Sequence, residues 1–153
     1  MMAKPFHSFA ELVSAADQRR ALSATYEHLA ETGRFICTLH NPPVRLKSVD
    51  GRLRLRGKYP LEKGRGTLLL WGVENYDPKE GVVQGSQFFE AYNVDGVMQS
   101  KRWVEIQFRL LGKEAFEALA ESTGFKVVGL HGDYAYSAFQ EETSPFMVWT
   151  LGK

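Results

Sequence analysis

Glu90 and Tyr92 are the residues whose setting first suggests chemistry. They pair a carboxylate and a phenol within an aromatic neighbourhood of Trp71, Tyr76, Phe88, Phe89 and Trp103. Aromatic walls suit a flat ligand, and they suit a cation through attraction to the ring face. Most of these rings read as core, with two or three left to reach a ligand and Glu90 and Tyr92 foremost. Other chemistries lack their residues: there is no Ser-His-Asp context, no metal-ligand cluster and no phosphate-cradling loop. The four histidines are scattered. The single Cys37 excludes an intrachain disulfide, a CxxC redox pair and a zinc knuckle. Arg52, Arg54 and Arg56 put three cations on one strand face. They read as a solvated edge that discourages aggregation, with phosphate or nucleic-acid contact as the lesser alternative.

Elements must hold these side chains, and composition says that they can. The chain has 153 residues, 44% hydrophobic, 24% charged and 12% aromatic, which is ordinary globular usage. A compact chain of this size buries roughly two-thirds of its unfolded surface. The net charge of +1 offers no field to collect nucleic acid or an anionic membrane. The stretch from Met1 to Phe9 has one lysine and no long apolar run, so it does not read as a signal peptide. The longest apolar stretch, Leu68 to Val73, is too short to span a bilayer. A reducing, cytoplasmic setting is expected.

Ser14 predicts a helix N-cap with Asp17 in the first turn, followed by Leu22, Tyr26 and Leu29 at helical spacing and Gly33 as a left-handed stop. The helix is expected over 14–32. Phe35-Ile36-Cys37-Thr38-Leu39 reads as a strand buried on both faces of a parallel sheet, ended by His40-Asn41-Pro42-Pro43. From about 52 to 111 the period changes to strands separated by Asp50-Gly51, Gly64-Arg65-Gly66, Asp77 to Gly81 and Asp95-Gly96. Alternation is clean over 52–56 and 104–110, predicting an antiparallel meander with one dry and one wet face. A helix over 113–123 stops at Gly124, and strands over 126–130 and 146–151 close the chain around a loop containing Gly132-Asp133-Tyr134.

This order of elements resembles the part after the midpoint of a class I S-adenosylmethionine-dependent methyltransferase of the small-molecule kind. Pro5 to Phe9 resembles the end of the family's fourth strand, and Asp17 to Leu22 the start of its next helix. Gly33-Arg34-Phe35-Ile36 with His40-Asn41-Pro42 resembles the fifth strand. Gly124 to Val127, Gly132-Asp133-Tyr134 and Ser144 to Trp149 resemble the closing strands. The fold implied is α/β, a partial Rossmann-like methyltransferase sheet of C-terminal strands and helices with an antiparallel β-meander inserted over 50–111. Residues 1–153 are expected to form one domain without the N-terminal, cofactor-binding half.

The resemblance implies S-adenosylmethionine as cofactor and no metal. Phe6, His7 and Ser8, at the end of the fourth strand, would touch the cofactor, since open α/β sheets build their crevice at strand carboxyl ends. Against this stands a plain loop around Ser8 with His7 exposed. Trp71, Glu90, Tyr92, Trp103 and Tyr134 would contact the methyl acceptor. His40 and Asn41 read as structural, because Asn before Pro marks a turn, and Asp133 after Gly132 reads as a turn former. Departures matter as much. The family's glycine-rich turn and its ribose-binding acid have no candidate, and Gly64-Arg65-Gly66 reads as a plain hairpin. The missing strands would leave the fourth strand with an open edge, so a homodimer or a separate chain completing the sheet is expected. A non-catalytic ligand-binding or interaction module derived from a methyltransferase is the alternative, and a truncated relic of a longer gene the third reading.

Overall fold

The computed structural model describes Met2–Lys4, as backbone, and residues 8–153. The chain divides into two compact units: Met1–Ser48 with Phe108–Lys153, and Val49–Gln107.

The first unit holds β1 (Met2–Lys4), α1 (Ala15–His28), β2 (Arg34–His40) and the short α2 (Pro42–Arg45). The second unit supplies β3 (Arg54–Pro60), β4 (Thr67–Asp77), β5 (Val82–Tyr92) and most of β6 (Met98–Arg109). The first then resumes with α3 (Lys113–Glu121), β7 (Lys126–His131) and β8 (Phe146–Gly152).

Its sheet has the order β1-β2-β8-β7. β2 is buried on one face and only at Thr38 on the other, where Ile36 and His40 are half-buried, and the sheet is mixed rather than parallel. β1 runs parallel to β2, whereas β8 pairs antiparallel with both β2 and β7. One face is dry: Phe35, Cys37 and Leu39 on β2 and Met147, Trp149 and Leu151 on β8 are each at most 1% exposed. Register sets these residues directly opposite one another, Cys37 facing Trp149. Phe116 of α3 seals this face, its ring 5.2 Å from Trp149 and edge-on to Phe9 at 5.6 Å.

Helix α1 starts as predicted, with Ser14 Oγ accepting from the Asp17 amide, and Asp17 pairs with Arg20. It stops sooner than the expected 14–32. The backbone turns extended at Leu29, whose amide bonds back to the Tyr26 carbonyl. Gly33 therefore is not a left-handed stop; it is required because a Cβ there would come within 2.7 Å of Leu29 Cγ. Gly124, at φ +100°, does end α3 in the left-handed region.

The second unit is an antiparallel sheet of order β3-β4-β5-β6. Glycines at positive φ mark its turns at 64–66, 81 and 96, the first joining β3 to β4 as a hairpin connection. Gly51 has φ 71° but leads into β3 rather than joining two strands. The arginine stripe is also corrected. Arg52 and Leu53 precede the strand, and the register slips between Leu55 and Gly57, making Arg56 a bulge residue. Arg52 and Arg54 pair with Asp50, while Arg56 pairs with Glu74 at 3.0 Å. No described helix is long and apolar enough to cross a membrane.

Removing the ring that seals the dry face should be costly. Phe116→Ala is expected to lower unfolding free energy by about 3–5 kcal/mol in a urea titration, whereas exposed Glu121→Ala stays within about 0.5 kcal/mol.

Candidate functional site

Because β1, β2 and β7 run parallel, their carboxyl ends share one edge of the first unit's sheet with the start of β8. Ser8 follows β1 and is partly buried; Phe6 and His7 lie outside the described residues. His40 ends β2, its ring 5.2 Å from Phe108. Asn41 is 1% exposed and donates from Nδ2 to the Glu141 carbonyl at 2.6 Å and the Ser144 carbonyl at 2.8 Å. That carboxamide pins the loop ahead of β8 to the end of β2, so Asn41 acts as a structural clasp.

The loop after β7 is organised by Asp133, whose Oδ1 accepts from the amides of Ala135 at 2.9 Å and Ser137 at 3.1 Å. Those amide bonds, the one from Ser137 foremost, hold its carboxyl below the ordinary range. Tyr136 within this loop has φ 63°, a conformation uncommon for a non-glycine residue, and its ring stands edge-on to His131 at 5.1 Å. Among the described residues, His131 Nδ1 is buried without a hydrogen-bond partner. Tyr134 is 57% exposed against Phe146. His131 escaped sequence reasoning because a lone histidine at a strand end carries no spacing signal.

In the second unit the strands bring Trp71, Glu90 and Tyr92 together. Alternation on β5 puts Phe88, Glu90 and Tyr92 on one face, and Trp71 of β4 sits opposite Phe88. Glu90 is 9% exposed, and its Oε2 accepts from Trp71 Nε1 at 2.9 Å and Tyr92 Oη at 3.0 Å. Its Oε1 accepts from Lys101 Nζ at 2.8 Å. Lys101 foremost, helped by the two neutral donors and opposed by desolvation, keeps the Glu90 carboxyl below its usual range. The same bond raises the Tyr92 hydroxyl, which stays a donor. A cavity of about 220 Å³ opens beside this group, lined by Leu53, Trp71, Phe88, Glu90 and Lys101. Trp103, two residues beyond Lys101 on β6, is 63% exposed and does not line it.

Lys101 is a second residue that sequence reasoning missed. Its signal was a charge opposite to that of Glu90, eleven residues on and across the Asp95-Gly96 turn, within cross-strand reach.

No protein-family model and no curated protein matches the chain. Solved structures do. The CcbJ methyltransferase from Streptomyces caelestis is 18% identical, with 98% of this chain and 58% of that one covered at a TM-score of 0.75. An S-adenosylmethionine-dependent methyltransferase from Clostridium acetobutylicum ATCC 824 gives 13% identity, 96% and 55% coverage and 0.77. CalS10, an amino pentose methyltransferase from Micromonospora echinaspora solved with S-adenosylmethionine bound, gives 16%, 97% and 56%, and 0.66. The chain thus carries part of a class I methyltransferase-like fold, as its sequence resemblance implies, and spans under three-fifths of these neighbours' lengths.

The described residues do not fit the cofactor's grip. A glycine-rich strand-to-helix turn lets backbone amides approach the ligand. The segment from Pro5 to Ser14 holds no glycine, and the turn into α2 offers Pro42 and Pro43, which carry no amide hydrogen. Gly112, before α3, follows a strand of the antiparallel sheet and has φ −67°.

Two measurements check this reading of the edge. Asn41→Ala leaves buried carbonyls unsatisfied and should lower stability by about 1–3 kcal/mol in urea unfolding. Asp133 has a lowered folded pKa, so its contribution is complete above the ordinary Asp value of about 3.9 and is lost as pH falls through the folded value. Hydrogen-exchange protection of the Ala135 and Ser137 amides should therefore fall on acidification, and be lower and insensitive to pH in Asp133→Asn.

Proposed function

We propose that these residues form the acceptor-side half of an S-adenosylmethionine-dependent methyltransferase, which grips the methyl donor only when a segment from outside them docks beside β1. The sheet order carries this reading. Four strands correspond to the later half of the class I arrangement, and among the described residues no strand lies beyond β1. An open edge presents unpaired amides and carbonyls, which favours a second copy or a separate chain completing the sheet. Methyl transfer asks the protein mainly to align acceptor and sulfonium, so losing the donor's cradle removes most of the catalysis. Phe6, His7 and Ser8, following β1, are proposed to meet the donor, and Trp71, Glu90, Tyr92, Trp103 and Tyr134 the acceptor. The bound donor in CalS10, and that protein's amino pentose acceptor, support a small-molecule substrate.

Calorimetric titration tests the proposal. The chain alone should give no binding heat with millimolar S-adenosylmethionine. A fusion carrying the leading segment of the Clostridium acetobutylicum enzyme ahead of Met1 should bind at micromolar concentration. Micromolar binding by the 153 residues alone, or none by a folded fusion, overturns the proposal.

A further inference from the structure

We propose that the cavity beside Trp71 and Phe88 is a binding site for a small organic ammonium ion, and that the Lys101 ammonium is its built-in occupant, displaced when the ligand enters. The cavity adjoins residues assigned above to the methyl acceptor, and the binding proposed for it holds whether or not the chain transfers methyl groups.

The Glu90 carboxylate divides its labour. Oε2 is fixed by two donors whose rings are anchored in the sheet, Trp71 Nε1 and Tyr92 Oη. Oε1 faces an ammonium on a flexible stem. That ammonium also lies 5.2 Å from the centroid of the Phe88 ring, so the cation is held between a carboxylate and an aromatic face. This is the environment in which proteins recognise amine and quaternary ammonium ligands. Here a side chain of the protein itself demonstrates that it accepts one.

Lys101 can leave. Its side chain is 51% exposed, and a hydrated ammonium on four methylenes swings into water without exposing core. The other buried carboxylate of this sheet shows the contrast. Glu74 pairs with Arg56, whose side chain is 25% exposed and whose planar fork lies across Gly72, where a Cβ would come within 3.1 Å of Arg56 Nε. That pair is set into the sheet, whereas the Lys101 head sits at the mouth of an open cavity.

Size and lining choose the ligand. About 220 Å³ holds a cation of several heavy atoms, and Leu53, Trp71 and Phe88 offer apolar contact for carbon substituents on nitrogen. A carboxylate at the wall repels anions such as phosphate. Leu53, 58% exposed at the rim, leaves the way in open.

Choline is the probe, and 3,3-dimethylbutan-1-ol, its neutral isostere, the control. The reporter is the indole Nε1–H resonance of Trp71, which donates to Glu90, assigned by its loss in Trp71→Phe. Choline should move it saturably in the unaltered chain, and about fivefold more tightly in Lys101→Met, which removes the competing ammonium. Glu90→Gln should abolish the response, and the isostere should produce none. Should Lys101→Met lack a dispersed, folded spectrum, Lys101→Gln takes its place. The proposal is overturned if the folded Lys101 variant shows no saturable shift, binds no tighter than the unaltered chain, or responds equally to the neutral isostere.

Discussion

A β-sheet gains stability by burying a face, and the two sheets of this chain differ both in how far they do so and in the chemistry of what they bury. In the first unit the solution is apolar. Six side chains on β2 and β8 are at most 1% exposed, and Phe116 and Phe9 close over them. Transfer of this surface from water is the dominant stabilising term, and close packing fixes the register. The rest of the unit follows from that register. Because Leu39 is held opposite Met147, His40 and Asn41 emerge beside the start of β8, where Asn41 can clasp the carbonyls of Glu141 and Ser144.

The second sheet reserves buried positions for ions. Its buried residues include Val82, Val83, Glu74 and Glu90, and each carboxylate has a cation from a neighbouring strand. Burying a charge is tolerated only when paired and hydrogen-bonded, so both acids constrain the residues around them. For Glu74 the cation comes from a bulge, where the extra residue lets Arg56 turn back across the strand. For Glu90 two neutral donors supplement a lysine that remains half in water. Arginine and lysine are unequal in these places. The planar fork fixes a geometry, while the ammonium sits on a flexible stem.

Much of the first unit was legible in the sequence because its signals are local or periodic. The Ser14 cap, the unbroken run of β2, Gly124 after α3 and the two closing strands all fall within a residue or two of their expected bounds. Failures arose where a residue's role depends on contacts or a register that its type and period do not encode. Gly33 has the residue type of a helix stop, yet its role comes from the Leu29 side chain folding under it. The arginines looked like one stripe because alternation assumes an unbroken register, and the bulge at Arg56 breaks it. Trp71, Glu90 and Tyr92 were legible as a group by composition, whereas Lys101, which completes it, needed the pairing of two strands around a turn. The setting of His131, its ring edge-on to Tyr136 and its Nδ1 unpartnered among the described residues, needed the folded loop after β7.

The helix starts bear on how a donor could be held. An anionic or polar ligand is gripped at a helix N-terminus by free amides and by the positive end of the dipole. α1 sets Asp17 in its first turn and has its Asp17 amide capped by Ser14; α3 sets Glu114 there. α2 begins with two prolines and lasts one turn. Each start already satisfies its amides, lacks them or carries a carboxylate of its own. The six glycines at positive φ are committed to the turn ahead of β3, the second sheet's connections and the end of α3. Within the described residues these helix starts and glycines are thus committed to folding, while the second sheet holds a fixed carboxylate among aromatic rings.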